Sequence, residues 1–242
     1  MAFTMSSQYS PARSRILTCA LTLLAVVRAE PAEARQGRRV PLEVPRVTSE
    51  VVINGRLDAA EWERAVGRTL PDGTTLRFQH DGRHLFVGIA AARSGFPSLC
   101  LARGDSVRVL HASAALGSVS YAPAGQAWAT GDTAFTYGMR NPDTTSQARR
   151  ERDAYLARHG WVSTTFRMSG GMAHEMQIAI GLRVPSVALA YFVPLPNNTW
   201  AIESWPLPGE PLGCAQPELV RGLVPQRLRF RPAEWENLRL LP

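Results

Sequence analysis

Short runs of alternating apolar and polar residues, separated by turn signals, restrict the fold of this 242-residue sequence more than any other feature. Successive side chains of a β-strand point to opposite faces, so this alternation predicts strands with one buried face. Thr75–His80 and Leu85–Ile89 flank the turn dipeptide Asp81-Gly82 and predict a hairpin. Trp161–Met168 and His174–Ile180 continue the pattern. We predict an all-β fold: an antiparallel β-sandwich with jelly-roll or immunoglobulin-like layers.

Two further predicted strands differ in how they are buried. The continuous apolar run Val187–Val193 predicts a strand buried on both faces. In Gly104–Leu110, Val107 and Val109 are predicted to face the core, and Arg108 the opposite side. Other strands are predicted at Leu116–Tyr121, Gln126–Thr130, Ala134–Met139, Trp200–Trp205 and Leu228–Phe230.

A short N-terminal helix is predicted after the apolar strand Val51–Ile53 and an Asn-Gly turn. Asp58 stands at the N-cap and Glu61 three residues later, which is the spacing of a capping box. Leu57 and Trp62 have the spacing of a hydrophobic staple, which turns Trp62 inward.

A second, inserted helix is predicted at Ser146–His159. Ala148, Tyr155 and Leu156 lie along one stripe, and Gly160 follows as a stop signal. We expect this helix to lie across one end of a sheet.

The N-terminal region predicts export. The apolar run Ile16–Val27 follows two arginines and is too short to be a stable membrane span. Ala32-Glu33-Ala34 offers a small-residue cleavage site. We predict a secreted or periplasmic protein with a signal peptide at 1–34, a linker at 35–50 and one β-sandwich domain at 51–242.

Two cysteines, Cys100 and Cys214, follow the predicted signal peptide. In an oxidising compartment they are candidates for one disulfide that closes a long loop. Their distance cannot be read from the sequence, so two unpaired thiols remain the alternative.

Composition excludes several kinds of chemistry. All 27 basic residues are arginine, which excludes a Schiff-base lysine and a P-loop lysine. The formal net charge is +7, but the arginines are scattered and no nucleic-acid-binding motif accompanies them. We therefore expect no nucleic-acid partner.

The usual enzyme motifs are absent from the sequence. It contains no G-x-S-x-G, H-E-x-x-H or C-x-x-C motif. His80 and His84 bracket the hairpin turn but lack a third zinc ligand. A binding protein is therefore favoured over an enzyme.

The opening segment resembles the start of family 9-like carbohydrate-binding modules, which belong to the DOMON-like β-sandwich superfamily. Their motif I/V-D/N-G-x-x-D-E-x-x-W-x-x-A is matched here by Ile53, Asn54, Gly55, Asp58, Trp62 and Ala65. Ala59 departs from it, since the family often has an acid at that position.

Four later segments resemble motifs of the same family in the same order. They are the hairpin Asp81–Ile89, the strand Gly104–Leu110, the strand His174–Ile180 with Glu175 at the acidic position, and the closing Pro232–Leu240. The resemblance covers about Val51 to Leu240. It implies a non-catalytic protein that binds oligo- or polysaccharides, associated with polysaccharide breakdown or cell-envelope glycans. Calcium is a cofactor that the family admits.

The resemblance also implies that two aromatic side chains sandwich a terminal sugar, since flat rings stack on the apolar faces of sugars. Of the six tryptophans, Trp62 and Trp235 lie in structural motifs and are expected in the core. The ligand-binding candidates are Trp128, Trp161, Trp200 and Trp205, with Arg108 and Glu203 as polar partners. A regular strand would place Trp200 and Trp205 on opposite faces.

Two alternatives remain open at this point. A DOMON-like haem or electron-transfer domain is one, because Met168, Met172, His174 and Met176 cluster in the sequence and such side chains bind haem iron. The other is a structural protein of the cell envelope that has lost the ligand site.

Overall fold

The alternating runs form the strands of two sheets. The computed structural model describes residues 40–113, 115–137, 145–181, 185–207 and 213–242. The strands, in chain order, are β1 (Leu42–Val44), β2 (Val66–Thr69), β3 (Thr75–His80), β4 (His84–Ala91), β5 (Phe96–Arg103), β6 (Ser106–Ala112), β7 (Ala115–Ala124), β8 (Ala127–Tyr137), β9 (Trp161–Met168), β10 (Gly171–Ala179), β11 (Ser186–Leu195), β12 (Thr199–Trp205), β13 (Arg227–Leu228) and β14 (Glu236–Leu240). The helices are α1 (Ala59–Trp62), α2 (Ser146–His159) and α3 (Pro217–Val220), with 3-10 turns at Pro196–Asn198, Gly213–Ala215 and Pro232–Glu234.

The smaller sheet has five antiparallel strands in the order β2-β3-β4-β10-β9. Phe78, Val87 and Met176 lie on its inner face, which packs against the second sheet. Phe86 and Gln177 are neighbours across β4 and β10 and lie on the outer face. This outer face carries the site described below.

The larger sheet has nine strands, in the order β1-β14-β11-β5-β6-β7-β8-β13, with β12 beside β11. Its pairs are antiparallel except for β1 with β14, which run parallel. The two sheets confirm the predicted all-β sandwich. Strand β1 lies within the residues that the sequence analysis assigned to a linker, and its Leu42 and Val44 are buried in the core.

Both faces of the larger sheet are buried at its central strands β11, β5 and β6. The inner face packs on the smaller sheet, and the outer face is covered by the C-terminal segment, which contributes Leu219, Phe230 and Trp235. A disulfide joins Cys100 on β5 to Cys214 in this covering segment. Strand β11 is buried on both faces, as its continuous apolar run predicted.

The orientation of β6 differs from the prediction, because the C-terminal segment forms a third layer over the outer face of the larger sheet. Val107 and Val109 pack beneath the C-terminal segment rather than between the sheets. Arg108 lies on the opposite face of β6, on the side of the inner core residue Leu110. The alternation was read correctly, but the sequence did not show that both faces of this strand are covered.

The opening segment differs from its predicted form. Val51–Ile53 is not a strand; Val51 and Ile53 are buried, and the carbonyl of Ile53 accepts the hydroxyl of Thr164 on β9 at 3.3 Å. Asp58 precedes α1, yet its side chain makes no capping hydrogen bond, so the predicted capping box is wrong. The backbone carbonyl of Asp58 accepts the amides of Glu61 and Trp62 at 3.0 and 3.1 Å. Trp62 is buried, as predicted.

Helix α2 has the predicted bounds. The hydroxyl of Thr145 accepts the amide of Ala148 at 3.2 Å, and Gly160 ends the helix at φ 68°. The two strands predicted around residue 130 are one long strand, β8, and the predicted end at Met139 lies outside the described residues. None of the helices in the described residues is long and apolar enough to cross a membrane.

Candidate functional site

The carboxylate of Glu175 holds the opening segment against the smaller sheet. Its Oε2 accepts the backbone amides of Asn54 and Gly55 at 2.8 and 2.7 Å, and its Oε1 accepts the indole Nε1–H of Trp62 at 2.8 Å. Burial raises the pKa of Glu175, while these three hydrogen bonds act in the opposite direction. Four residues of the family-like motifs therefore meet at one buried group.

Close packing fixes the path of this segment. Gly55 has φ +82°, and a Cβ there would lie 2.7 Å from the backbone nitrogen of Phe166. A Cβ at Gly88 would lie 2.6 Å from the Leu57 side chain and 3.0 Å from the Trp62 ring. Both glycines permit contacts that a larger residue would block.

Helix α2 is fixed against the end of the sandwich. Tyr155 packs edge-on against Trp161, with ring centroids 6.2 Å apart. At the C-terminal end of the helix, Nη2 of Arg108 donates to the carbonyl of His159 at 2.6 Å. This contact places a positive charge at the negative end of the helix dipole.

Between the opening segment and α2, the outer face of the smaller sheet forms the floor of a cleft of about 280 Å³, here named the α2 cleft. His84, Phe86, Val162 and Gln177 form the floor, with Gln177 opposite both Phe86 and Val162 in the neighbouring strands. The walls are residues 49–53 on one side and Arg149, Arg152 and Asp153 of α2 on the other, with Asp81 at the rim. A concave surface with several converging polar groups suits a small polar ligand.

One ion pair and one contact between a histidine and a carboxylate lie in the cleft. Arg149 Nη1 lies 3.3 Å from Glu50 Oε1, so an ion pair spans the two walls. At the rim, His84 Nδ1 lies 3.1 Å from Asp81 Oδ2. In the middle of α2, Arg152 is buried, whereas Asp153 is exposed.

The carboxyl group of Asp81 is held in its charged form. Burial opposes ionisation, but the amides of Arg83 and His84, each 2.7 Å from Oδ1, and the imidazole of His84 together lower the Asp81 pKa. The rim of the cleft therefore presents a carboxylate rather than a carboxylic acid.

A second depression lies beside α1 and is wider, with a volume of about 540 Å³. Alanines and a glycine provide much of its lining, with Glu63 and Arg77 as its charged residues. Fewer polar groups converge there than in the α2 cleft, so the α2 cleft is the stronger candidate.

Two of the predicted ligand-binding tryptophans pack between the sheets. Trp161 is fully buried, so its ring has no face open to a ligand. Trp205 is half-buried and lies 5.6 Å from the ring of Phe78 on the other sheet. Packing of large apolar rings into the sandwich core explains both positions.

The other two tryptophan candidates lie on the far side of the larger sheet. Trp200 contacts Phe96 edge-on at 6.1 Å and lies on the face of β12 opposite to Trp205. Trp128 contacts Phe230 edge-on at 5.9 Å. The four candidate tryptophans do not converge, and none lines the α2 cleft.

The predicted polar partners also have structural contacts. Arg108 donates to the hydroxyl of Ser118 at 3.2 Å as well as to the carbonyl of His159. Glu203 lies 3.7 Å from Nη2 of Arg93. Neither Arg108 nor Glu203 lines the α2 cleft.

The two hairpin histidines do not face each other. His80 accepts the amide of Gly82 at Nδ1 (3.0 Å), so its Nε2–H donates to the carbonyl of Leu241 at 2.9 Å. His80 faces the inside of the sandwich and His84 the outside. Within the described residues, no group of three or more His, Cys, Asp or Glu side chains is placed to hold a metal ion.

The candidate haem ligands are likewise divided between two faces. Met172, His174 and Met176 share the inner face of the smaller sheet, where His174 Nδ1 lies 2.9 Å from the hydroxyl of Thr165. Met168 lies on the outer face and is partly exposed. These four side chains do not surround one site.

Most residues of the α2 cleft were not selected from the sequence. The Asp81-Gly82 turn located Asp81 and His84, and the alternation around Gln177 showed which face it shares. The approach of Glu50 to Arg149, 99 residues later in the chain, had no sequence signal.

The chain matches no protein-family model, no curated protein and no solved structure.

Proposed function

We propose that this chain is an exported, non-catalytic carbohydrate-binding protein that resembles family 9-like modules and is associated with polysaccharide breakdown or cell-envelope glycans. The observation that carries the proposal is the Glu175 contact. The opening motif and the acidic strand motif are about 120 residues apart, yet Glu175 accepts hydrogen bonds from Asn54, Gly55 and Trp62. Four residues from two of the motifs thus meet at one buried carboxyl group, which supports a shared architecture and not only a shared order of motifs.

The α2 cleft is the site that we assign to the sugar. Hydroxyl groups both donate and accept hydrogen bonds, and the cleft offers carboxylates, guanidinium groups and the amide of Gln177. Its volume of about 280 Å³ lies near the lower end of the range for small-molecule sites. A short part of a glycan is therefore the expected occupant.

The environments of the acidic side chains suit ligand binding better than glycoside hydrolysis. That reaction needs one acid with a raised pKa beside a second carboxylate. Glu175 has a raised pKa but is fully buried, Glu61 has a raised pKa but does not line the α2 cleft, and Asp81 lines the cleft but has a lowered pKa. This pairing of environments supports a binding role.

The test is isothermal titration calorimetry of the purified protein against a panel of soluble oligosaccharides, with and without calcium. Gln177→Ala removes a polar group from the cleft floor, and Gln147→Ala removes an exposed glutamine from α2 as the matched control. We expect saturable binding that Gln177→Ala weakens about fivefold or more, equivalent to about one hydrogen bond, and that Gln147→Ala leaves unchanged.

Two results would contradict parts of the proposal. No binding to any oligosaccharide by the folded protein would remove the carbohydrate function. Binding that survives Gln177→Ala but is lost in Trp200→Ala or Trp128→Ala would move the site to the far side of the larger sheet.

A further inference from the structure

The charges that line the α2 cleft differ in sign from the charge of the whole chain. The chain carries a formal net charge of +7. Among the described residues that line the cleft, the carboxylates are Glu50, Asp81 and Asp153, and the guanidinium groups are those of Arg149 and Arg152. With His84 neutral, the cleft therefore carries a formal charge of −1.

The positively charged groups of the cleft already have interaction partners. Arg149 is paired with Glu50 at 3.3 Å. Arg152 is 6% exposed and also has an interaction partner. An incoming carboxylate would have to compete for these groups while approaching the carboxylates of Asp81 and Asp153.

One negative group of the cleft, the carboxylate of Asp153, is more available. Asp153 is exposed and makes no hydrogen bond or ion pair with any residue in the part of the chain that the structure describes. Asp81 stays ionised because two amides and the His84 ring stabilise its charge. A cationic group in the cleft would meet carboxylates without first breaking an ion pair of Asp153.

We propose that the α2 cleft prefers sugars that carry a protonated amine and disfavours sugars that carry a carboxylate. This inference rests on the proposed carbohydrate-binding function and names its ligand class. The expected order of affinity is amino sugar, then neutral sugar, then uronate. The net charge of the chain alone would favour the reverse order through non-specific attraction.

Two matched pairs of probes test this order. Chitosan and chitin oligomers of equal length differ only in acetylation of the amine, and cello-oligosaccharides and their C6-oxidised uronate forms differ only in the carboxylate. Titrations are made in slightly acidic buffer, where the chitosan amine is protonated. Because the His84 ring faces Asp81, the series is repeated with His84→Gln to keep the charge of the cleft constant.

Asp153→Asn removes the exposed carboxylate of Asp153, and Asp105→Asn, in an exposed turn, changes the net charge by the same amount. We expect the chitosan oligomer to bind about two- to fivefold more tightly than the chitin oligomer, as for an exposed charge pair. Asp153→Asn should abolish this preference, and Asp105→Asn should preserve it.

Tighter binding of the uronate form than of its neutral partner would overturn the inference and leave the carbohydrate function in place. Equal loss of the chitosan preference in both variants would also overturn it, because long-range charge would then explain the effect. No binding by either pair would overturn it too, and no binding in the wider oligosaccharide panel would remove the carbohydrate function as well.

Discussion

The indole Nε1–H of Trp62 donates a 2.8 Å hydrogen bond to the Glu175 carboxylate, 113 residues later in the chain. Both side chains are fully buried, at 1% and 0% exposure. A buried donor or acceptor that loses its partner costs more than the bond itself contributes. This hydrogen bond therefore couples helix α1 to strand β10, and neither buried side chain can replace its partner with water.

Removal of this donor should destabilise the protein. Trp62→Phe keeps an aromatic ring against Gly88 but leaves Oε1 of Glu175 without its donor. We expect the free energy of unfolding in urea to fall by about 1–3 kcal/mol from the lost hydrogen bond, with a further loss from the smaller ring. Trp128→Phe, at a half-buried tryptophan without a carboxylate contact among the described residues, is the control and should lose less. Equal losses would argue against the hydrogen bond.

The raised pKa of Glu175 predicts a pH dependence of stability. Between its ordinary value of 4.5 and the higher native value, the folded state binds more protons than the unfolded state. Stability contributed by this group is therefore present below about 4.5 and declines as the pH rises through the native pKa. Glu175→Gln lacks this titration, so the wild-type advantage over the variant should shrink as the pH rises through that window. Urea unfolding at a series of pH values measures this difference in stability. A wild-type advantage that grows with pH would show that the fold favours the charged form of Glu175 instead.

The disulfide should contribute strongly to stability because it closes a long loop. Cys100 and Cys214 are separated by 114 residues, and the bridge fastens the covering segment to the larger sheet. In the chain-entropy description, the paired serine variant should lose about 2–5 kcal/mol of unfolding free energy. Reductant should destabilise the wild type and leave the variant unchanged. Unfolding curves that coincide with and without reductant would contradict this role.

Local periodicity was sufficient to predict the strands but not the layers. The alternation around Val107 and Val109 located β6, yet these residues pack beneath a segment more than 100 residues later in the chain. Val51–Ile53 has strand-like composition, but the backbone amides of the adjoining Asn54 and Gly55 donate to the Glu175 carboxylate rather than to a neighbouring strand. Tertiary packing decides such cases, because it determines which hydrogen-bonding partners the backbone reaches.

The candidate site was less predictable from the sequence than the fold, because it too depends on tertiary packing. Trp161 and Trp205 are predicted ligand-binding residues because aromatic rings bind sugars, but the same apolar area makes them favourable core residues. The cleft depends on where α2 lies over the sheet, which brings Arg149 to Glu50. The sequence specifies the bounds of this helix and carries no local signal for its position.

Substitution of Arg108 tests how the position of helix α2 is maintained. Its guanidinium donates to the carbonyl of His159 at 2.6 Å, so Arg108→Met should loosen the C-terminal end of α2. We expect a loss of about 1.5–3 kcal/mol in unfolding free energy, the range for hydrogen bonds of charged groups, and faster amide hydrogen exchange in α2. Arg158→Met, exposed at the same helix end, is the control and should change neither quantity. If amide exchange in α2 is unchanged and oligosaccharide binding is lost, Arg108 contacts the ligand directly instead. Faster exchange together with weaker binding would indicate that Arg108 acts by holding the wall of the cleft in place.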